Sequence, residues 1–141
     1  MKPYIYLPHT ADAKFRAFGA ELEEAFANAA YAMTDIIVDQ KKVKSAVKQK
    51  ISIKSEDEKA LLYDFLEKLL ILLDTKRFLL SKVKEIKIQK SGKGFSLNAV
   101  IVGDNHPEKY DTKTTIKAVT YQEMEIIREK GKVILQVVVD I

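Results

Sequence analysis

Two acidic segments at opposite ends of the 141-residue chain hold the residue types of a cation site. Asp12 lies in Pro8-His9-Thr10-Ala11-Asp12, and the last residues run Val137-Val138-Val139-Asp140-Ile141. An apolar β-branched run reads as a strand. It carries Asp140 and the free carboxyl of Ile141 to one strand end, where Asp12 from the early loop completes an oxygen-rich pocket. Hard divalent cations take such donors, calcium foremost, with magnesium or manganese as alternatives. A carboxylate ending an apolar strand is costly to bury alone, so Asp140 is either solvated, paired with a lysine, or bound to a cation. Asp12 and Thr10 have an equally ordinary use as turn formers that satisfy nearby backbone amides.

Lys117 stands in Ile116-Lys117-Ala118-Val119-Thr120-Tyr121, a largely apolar segment where a lysine is unexpected. Its ammonium either snorkels to solvent or meets a carboxylate. His9 can be a base, a ligand or a loop hydrogen-bonder, and its place after Pro8 favours a structural role at least as much as chemistry. His106 sits in the turn signal Gly103-Asp104-Asn105-His106-Pro107. No Ser/His/Asp order, phosphate-cradling loop or dinucleotide fingerprint is present, and Gly92-Lys93-Gly94 reads as a hairpin turn. Absence of cysteine removes thiolate nucleophiles and Cys-based metal sites. The lysines from Lys41 to Lys54 lack interleaved aromatics and arginines, which argues against base-stacking RNA recognition.

The elements that must position these groups follow from periodicity. Tyr4 to Leu7 and Ala13 to Ala20 read as strands on either side of the His9–Asp12 loop. Leu22, Ala25, Phe26, Ala29, Ala30, Met33 and Ile37 form a helical stripe within Glu21 to Val38. Val43, Val47, Ile51 and Ile53 alternate as one face of a strand, the intervening lysines being its solvated face. Ser55 with Glu58 reads as a capping box opening a second helix, rich in leucine, that ends near Asp74. Leu79 to Gln89 is a strand whose apolar parity changes between Val83 and Ile86, the sign of a bulge. Further strands are expected at Phe95 to Ile101, Tyr110 to Val119, Gln122 to Arg128 and Val133 to Val139. Without helical crossovers between them, the pairing is antiparallel. The expected fold class is α+β, a mostly antiparallel sheet packed against two amphipathic helices. The expected organisation is a single domain over 1–141, with the segment from about 43 to 102 an insertion into a smaller core.

With 47% hydrophobic and 31% charged residues, the chain has the composition of a folded globular protein. No stretch reaches the roughly 20 apolar residues of a membrane helix, and the start lacks the apolar core of a signal peptide, so a cytoplasmic protein with no membrane partner is expected. The net charge of +4 permits an anionic partner without requiring one.

Pro8-His9-Thr10-Ala11-Asp12, Leu22-Glu23-Glu24-Ala25-Phe26, Leu61-Leu62-Tyr63-Asp64-Phe65-Leu66, Lys117-Ala118-Val119-Thr120-Tyr121 and the terminal Val139-Asp140-Ile141 together resemble the archease family along the whole chain. That resemblance implies a non-catalytic protein cofactor of the RtcB-type RNA-splicing ligase in tRNA splicing, one that promotes GTP-dependent guanylylation and multiple turnover. It implies Asp12, Asp140 and the Ile141 carboxylate as the metal set and Lys117 as a functional basic residue, with RNA met indirectly or through the ligase complex. Gln122 departs from the family pattern, which often has histidine there. Two alternatives remain open. One is a chaperone-like modulator of tRNA-modifying enzymes such as a tRNA methyltransferase, and the other is a stand-alone phosphohydrolase, for which no further acid or base is evident.

Overall fold

A computed structural model describes residues 2–141. The chain runs β1 (Tyr4–Leu7), β2 (Ala13–Gly19), α1 (Leu22–Ile37), β3 (Val47–Ser55), α2 (Glu58–Lys76), β4 (Leu79–Ser91), β5 (Gly94–Asp104), β6 (Ala118–Val119), β7 (Glu125–Glu129) and β8 (Lys132–Asp140). One sheet has the order β1-β2-β8-β6, with β7 also paired to β8, and the other has the order β3-β5-β4. All these pairings are antiparallel, giving the α+β class expected from the absence of helical crossovers. No described helix is long and apolar enough to cross a membrane.

β8 is the spine of the first sheet. Val133 through Val139 are all buried, so neither face of the strand meets water. Gln136, the polar residue inside that run, accepts from Arg16 Nε at 2.9 Å and donates to the Glu123 carbonyl at 2.8 Å, which makes its burial tolerable. β2 pairs along β8 from Gly19↔Val133 to Ala13↔Val139. The chain then turns from β2 into α1 at Gly19, where a Cβ would strike the backbone of Glu21, Glu24 and Ala25. Glu24 Oε1 reaches back to the Ala20 N–H at 2.6 Å and satisfies a free donor at the start of this helix.

The segment from β3 to β5 makes its own sheet together with α2, yet one buried cluster joins Phe15, Ala17, Leu135 and Val137 of the first sheet to Ile51, Leu97 and Ile101 of the second. The helices meet in this core through Phe26 and Phe65, whose ring centroids are 5.9 Å apart.

Three local expectations are corrected. The cap of α2 is Asp57, whose Oδ1 accepts from Ala60 N at 2.8 Å, while Ser55 remains in β3 and donates to Asp64 at 2.6 Å. The helix runs past Asp74 to Lys76 and closes on Arg77 in the left-handed region at φ 57°. Of the strand expected over 110–119, only β6 and an isolated Val38↔Thr112 bridge exist. Exposed Thr112, Lys113, Thr114 and Thr115 leave that stretch no apolar face to bury. The bulge in β4 lies where the parity change put it, between Val83 and Glu85, and a second lies between Leu80 and Lys82.

Candidate functional site

The two ends of the chain come together because β2 and β8 are paired to their limits. Ala13↔Val139 is the last rung, and the next residues outward are Asp12 and Asp140. On the other flank of β8, Ala118 pairs with Asp140, and the Lys117 N–H donates to the Asp140 carbonyl at 2.7 Å. Side chains alternate along a strand, and Val139 is fully buried in the core, so Asp140 points to the opposite face. Asp12 lies in the bend immediately before β2, at the same end of the sheet. Ile141 follows, 37% exposed.

Ala11 turns the loop into β2 from the left-handed region at φ 64°, an uncommon conformation for an alanine. Behind Asp12 the loop is tied down by Glu123, which itself holds φ 52°. His9 Nε2 lies 2.8 Å from Glu123 Oε2, and Lys14 Nζ donates to Glu123 Oε1 at 3.0 Å. The bond with His9, followed by that with Lys14, holds the Glu123 carboxyl below the usual glutamate range. The other ring nitrogen of His9 faces Asp12 Oδ2 at 3.6 Å, too long for a hydrogen bond, and is the one buried side-chain polar atom without a partner among the described residues. His9 thus serves the loop, and its second nitrogen is aimed at the candidate ligand Asp12. The 120–124 turn that supplies Glu123 is pinned by Tyr121, whose ring stacks on Tyr63 of α2 at 4.4 Å.

Lys117 is exposed and makes no ion pair within 4.0 Å among the described residues. It borders an open groove of 670 Å³ whose other lining residues include Glu67, Ile71, Asp74, Arg77 and Thr115. Its ammonium is therefore free for a partner. His106 is an exposed turn residue whose Nδ1 sits 3.1 Å from Glu108.

Among the described residues no three His, Cys, Asp or Glu side chains gather closely enough to hold a metal. The acidic set at the strand end has two aspartates, and its remaining oxygens belong to the main chain. Carboxylate and main-chain oxygen donors suit a hard cation that keeps part of its water shell, and they lack the imidazole or thiolate donors of a zinc site. Glu123 and Lys14 had no recognisable signal in the sequence, since Glu123 lies 109 residues from Lys14 and 114 from His9.

Fold and site together describe a two-helix, antiparallel α+β domain whose polar cluster gathers at the end of its central strand. The chain belongs to the archease family: the model of the Archease protein family (MTH1598/TM1083) matches residues 4–141. It is 39% identical over 141 residues to Protein archease of Methanothermobacter thermautotrophicus, covering 100% of both chains. It is likewise 39% identical over 143 residues to Protein archease of Pyrococcus abyssi, again covering 100% of both. Among solved structures, it superposes on the solution structure of Methanobacterium thermoautotrophicum protein 1598 with a TM-score of 0.88 at 38% identity, covering 100% of both chains. A crystal structure from Thermotoga maritima described as an archease, possible chaperone, shares the fold with a TM-score of 0.60 at 17% identity, covering 96% of this chain and 94% of the other.

Proposed function

We propose that this protein is a non-catalytic, cytoplasmic cofactor of an RtcB-type RNA-splicing ligase, promoting GTP-dependent guanylylation and repeated turnover in tRNA splicing. The observation that carries the reading is the β2-β8-β6 pairing, which brings Asp12, Asp140, Ile141 and Lys117 to one strand end from three separate parts of the chain. Asp12, Asp140 and the Ile141 carboxylate would hold a divalent cation, calcium first, with magnesium or manganese as alternatives. Bound there, the cation would supply positive charge for phosphoryl oxygens. Lys117, unpaired and beside a groove lined in part by α2, would supply a mobile cation at the same strand end. Its main-chain N–H fixes its position against Asp140. His9 and Glu123 hold the loop that presents Asp12.

Mixing the protein with a partner ligase and labelled GTP tests this directly. Ligase-bound GMP should accumulate faster and ligation should pass one turnover when the protein is present. The Asp140→Asn and Lys117→Ala variants should each lose most of the stimulation while folding normally. Full stimulation by either variant would end this reading. A second reading is a chaperone-like modulator of tRNA-modifying enzymes such as a tRNA methyltransferase, in keeping with the Thermotoga maritima archease being described as a possible chaperone. That activity would need no cation, so it would survive chelation and the first would not.

A further inference from the structure

The second sheet has one covered face and one bare face, and the bare face is basic. Inward residues Ile51, Leu97, Ala99 and Ile101 are buried in the core. The outward residues fall into four rows across β3, β5 and β4: Lys48, Val102 and Lys82; Lys50, Val100 and Glu85; Ser52, Asn98 and Lys87; Lys54, Ser96 and Gln89. Lys48, Lys50, Lys54, Lys82 and Lys87 are all exposed, and among the described residues none has a carboxylate within 4.0 Å. Glu85 is the face's single acid, so its excess of positive charge equals the +4 of the entire chain. The exposed Lys84, the extra residue in the bulge beside Glu85, adds to this concentration of positive charge.

The pattern decides between partners. Protein interfaces deplete lysine and concentrate aromatics and arginine at their centres, and these four rows contain neither. A membrane-surface site would need an apolar or aromatic face to insert, and only Val100 and Val102 interrupt the polar rows. Without an aromatic platform the face does not stack bases. What it offers is flexible point charges in two edge strands, about 7 to 17 Å apart along each strand, flanking a central strand that adds Asn98 and Ser96 as hydrogen-bonding groups. The bulges in β4 add twist to this edge, turning the row of lysines along the face.

We infer that the outer face of the β3-β5-β4 sheet binds the sugar-phosphate backbone of a nucleic acid through these lysines, without reading its sequence. The inference stands apart from the cation site, because none of the five lysines belongs to it.

The test is fluorescence anisotropy of a labelled single-stranded RNA with the full chain across a salt series. With five lysines each neutralising one phosphate, log K should fall against log salt with a slope of about −3.5. A variant carrying Lys48→Gln, Lys50→Gln, Lys82→Gln and Lys87→Gln should lose about four-fifths of that slope, down to about −0.7, and bind about a thousandfold more weakly at 50 mM salt. All four positions are exposed, and the two pairs Lys48→Gln with Lys50→Gln and Lys82→Gln with Lys87→Gln, made separately, should each remove about two-fifths of the slope. The control carries Lys41→Gln, Lys59→Gln, Lys76→Gln and Lys130→Gln, which changes the net charge equally at other exposed positions and should retain most of the binding. Asp140→Asn should leave RNA binding intact, which separates this inference from the cofactor reading. Equal loss in the control, an unchanged slope in the sheet variants, or binding to anionic vesicles or to a partner ligase but not to RNA would overturn the assignment.

Discussion

Replacing Asp140 by Asn should make the cation-free protein more stable and at the same time abolish its stabilisation by cation. Asp12 and Asp140 are the next residues beyond the last rung, Ala13↔Val139, and carboxylates continuing that ladder would lie about 5 Å apart. Two like charges at that separation repel by about 0.8 kcal/mol in a water-like medium and about 3 kcal/mol at the effective dielectric of a protein surface. Asp12 and Asp140 both keep contact with water at the strand end, so the lower part of that range is taken. Relief of about 1 kcal/mol raises Tm by about 3–4 °C in a domain of this size. In the parent, a cation at a hundred times its Kd adds about 2.7 kcal/mol, or about 9 °C.

Differential scanning calorimetry with chelator and with a calcium series gives both numbers from the same samples. The two effects have opposite signs and one cause, clustered negative charge awaiting a positive one. No general weakening of the fold produces that pair. An Asp140→Asn protein less stable than the parent in chelator, or one that keeps the parent's calcium shift, would refute the reasoning. Lack of any calcium, magnesium or manganese shift in the parent would refute the site itself.

Glu123→Ala should release His9 and Lys14, lower Tm, and weaken cation affinity at Asp12 by about tenfold by isothermal titration calorimetry. Because the Glu123 carboxyl titrates below its ordinary value of 4.5 in the folded protein, its contribution to stability is complete above that pH and is lost as the pH falls through the lowered value. Urea melts of parent and variant should therefore converge in acid. Gly103→Ala should cost about 3 kcal/mol or more in urea unfolding, since the added Cβ would meet the Leu79 backbone, with Phe78 Cζ at 2.8 Å closing the remaining space. Asp57→Ala should cost about 1 kcal/mol by removing the acceptor of the Ala60 N–H at the start of α2.

The elements with a strong single period were legible in the sequence. The α1 stripe and the alternation of β3 reflect one-sided burial, which writes itself into residue spacing. The parity change at Val83 announced the β4 bulge because an extra residue must switch faces. The errors have a common origin in signals whose force depends on what lies across from them. Ser55 and Glu58 have the spacing of a capping box, but the β3 ladder, which pairs Ser55 with Phe95, claims the serine and leaves Asp57 to cap. Residues 110–117 contain enough threonine and valine-like patterning to suggest a strand, but no neighbouring strand pairs with most of them. For the site, Asp12, Asp140 and Lys117 were visible as misplaced charges in apolar or turn contexts. Glu123 was not, because a glutamate after Gln122 and before Met124 is unremarkable until the fold sets it between His9 and Lys14.

The placement of the acidic set follows from the burial of β8. A strand that packs on both faces and is paired on both edges has little freedom, and seven successive buried residues, Val133 to Val139, place β8 in that condition. Its last residue is held by the Lys117 N–H on one side, and the neighbouring rung by Ala13 on the other. The strand end is therefore the point where the main chain is most fixed while the side chains first meet water. A binding group needs both properties, because flexibility costs affinity and full burial would forbid an unpaired carboxylate. Lengthening the connection between β7 and β8 would leave this end untouched, whereas substituting glycine for Val137 should loosen Asp140 without altering its charge. The expected signature is weaker cation binding that tracks lost stability, in contrast to Asp140→Asn, where the two move apart.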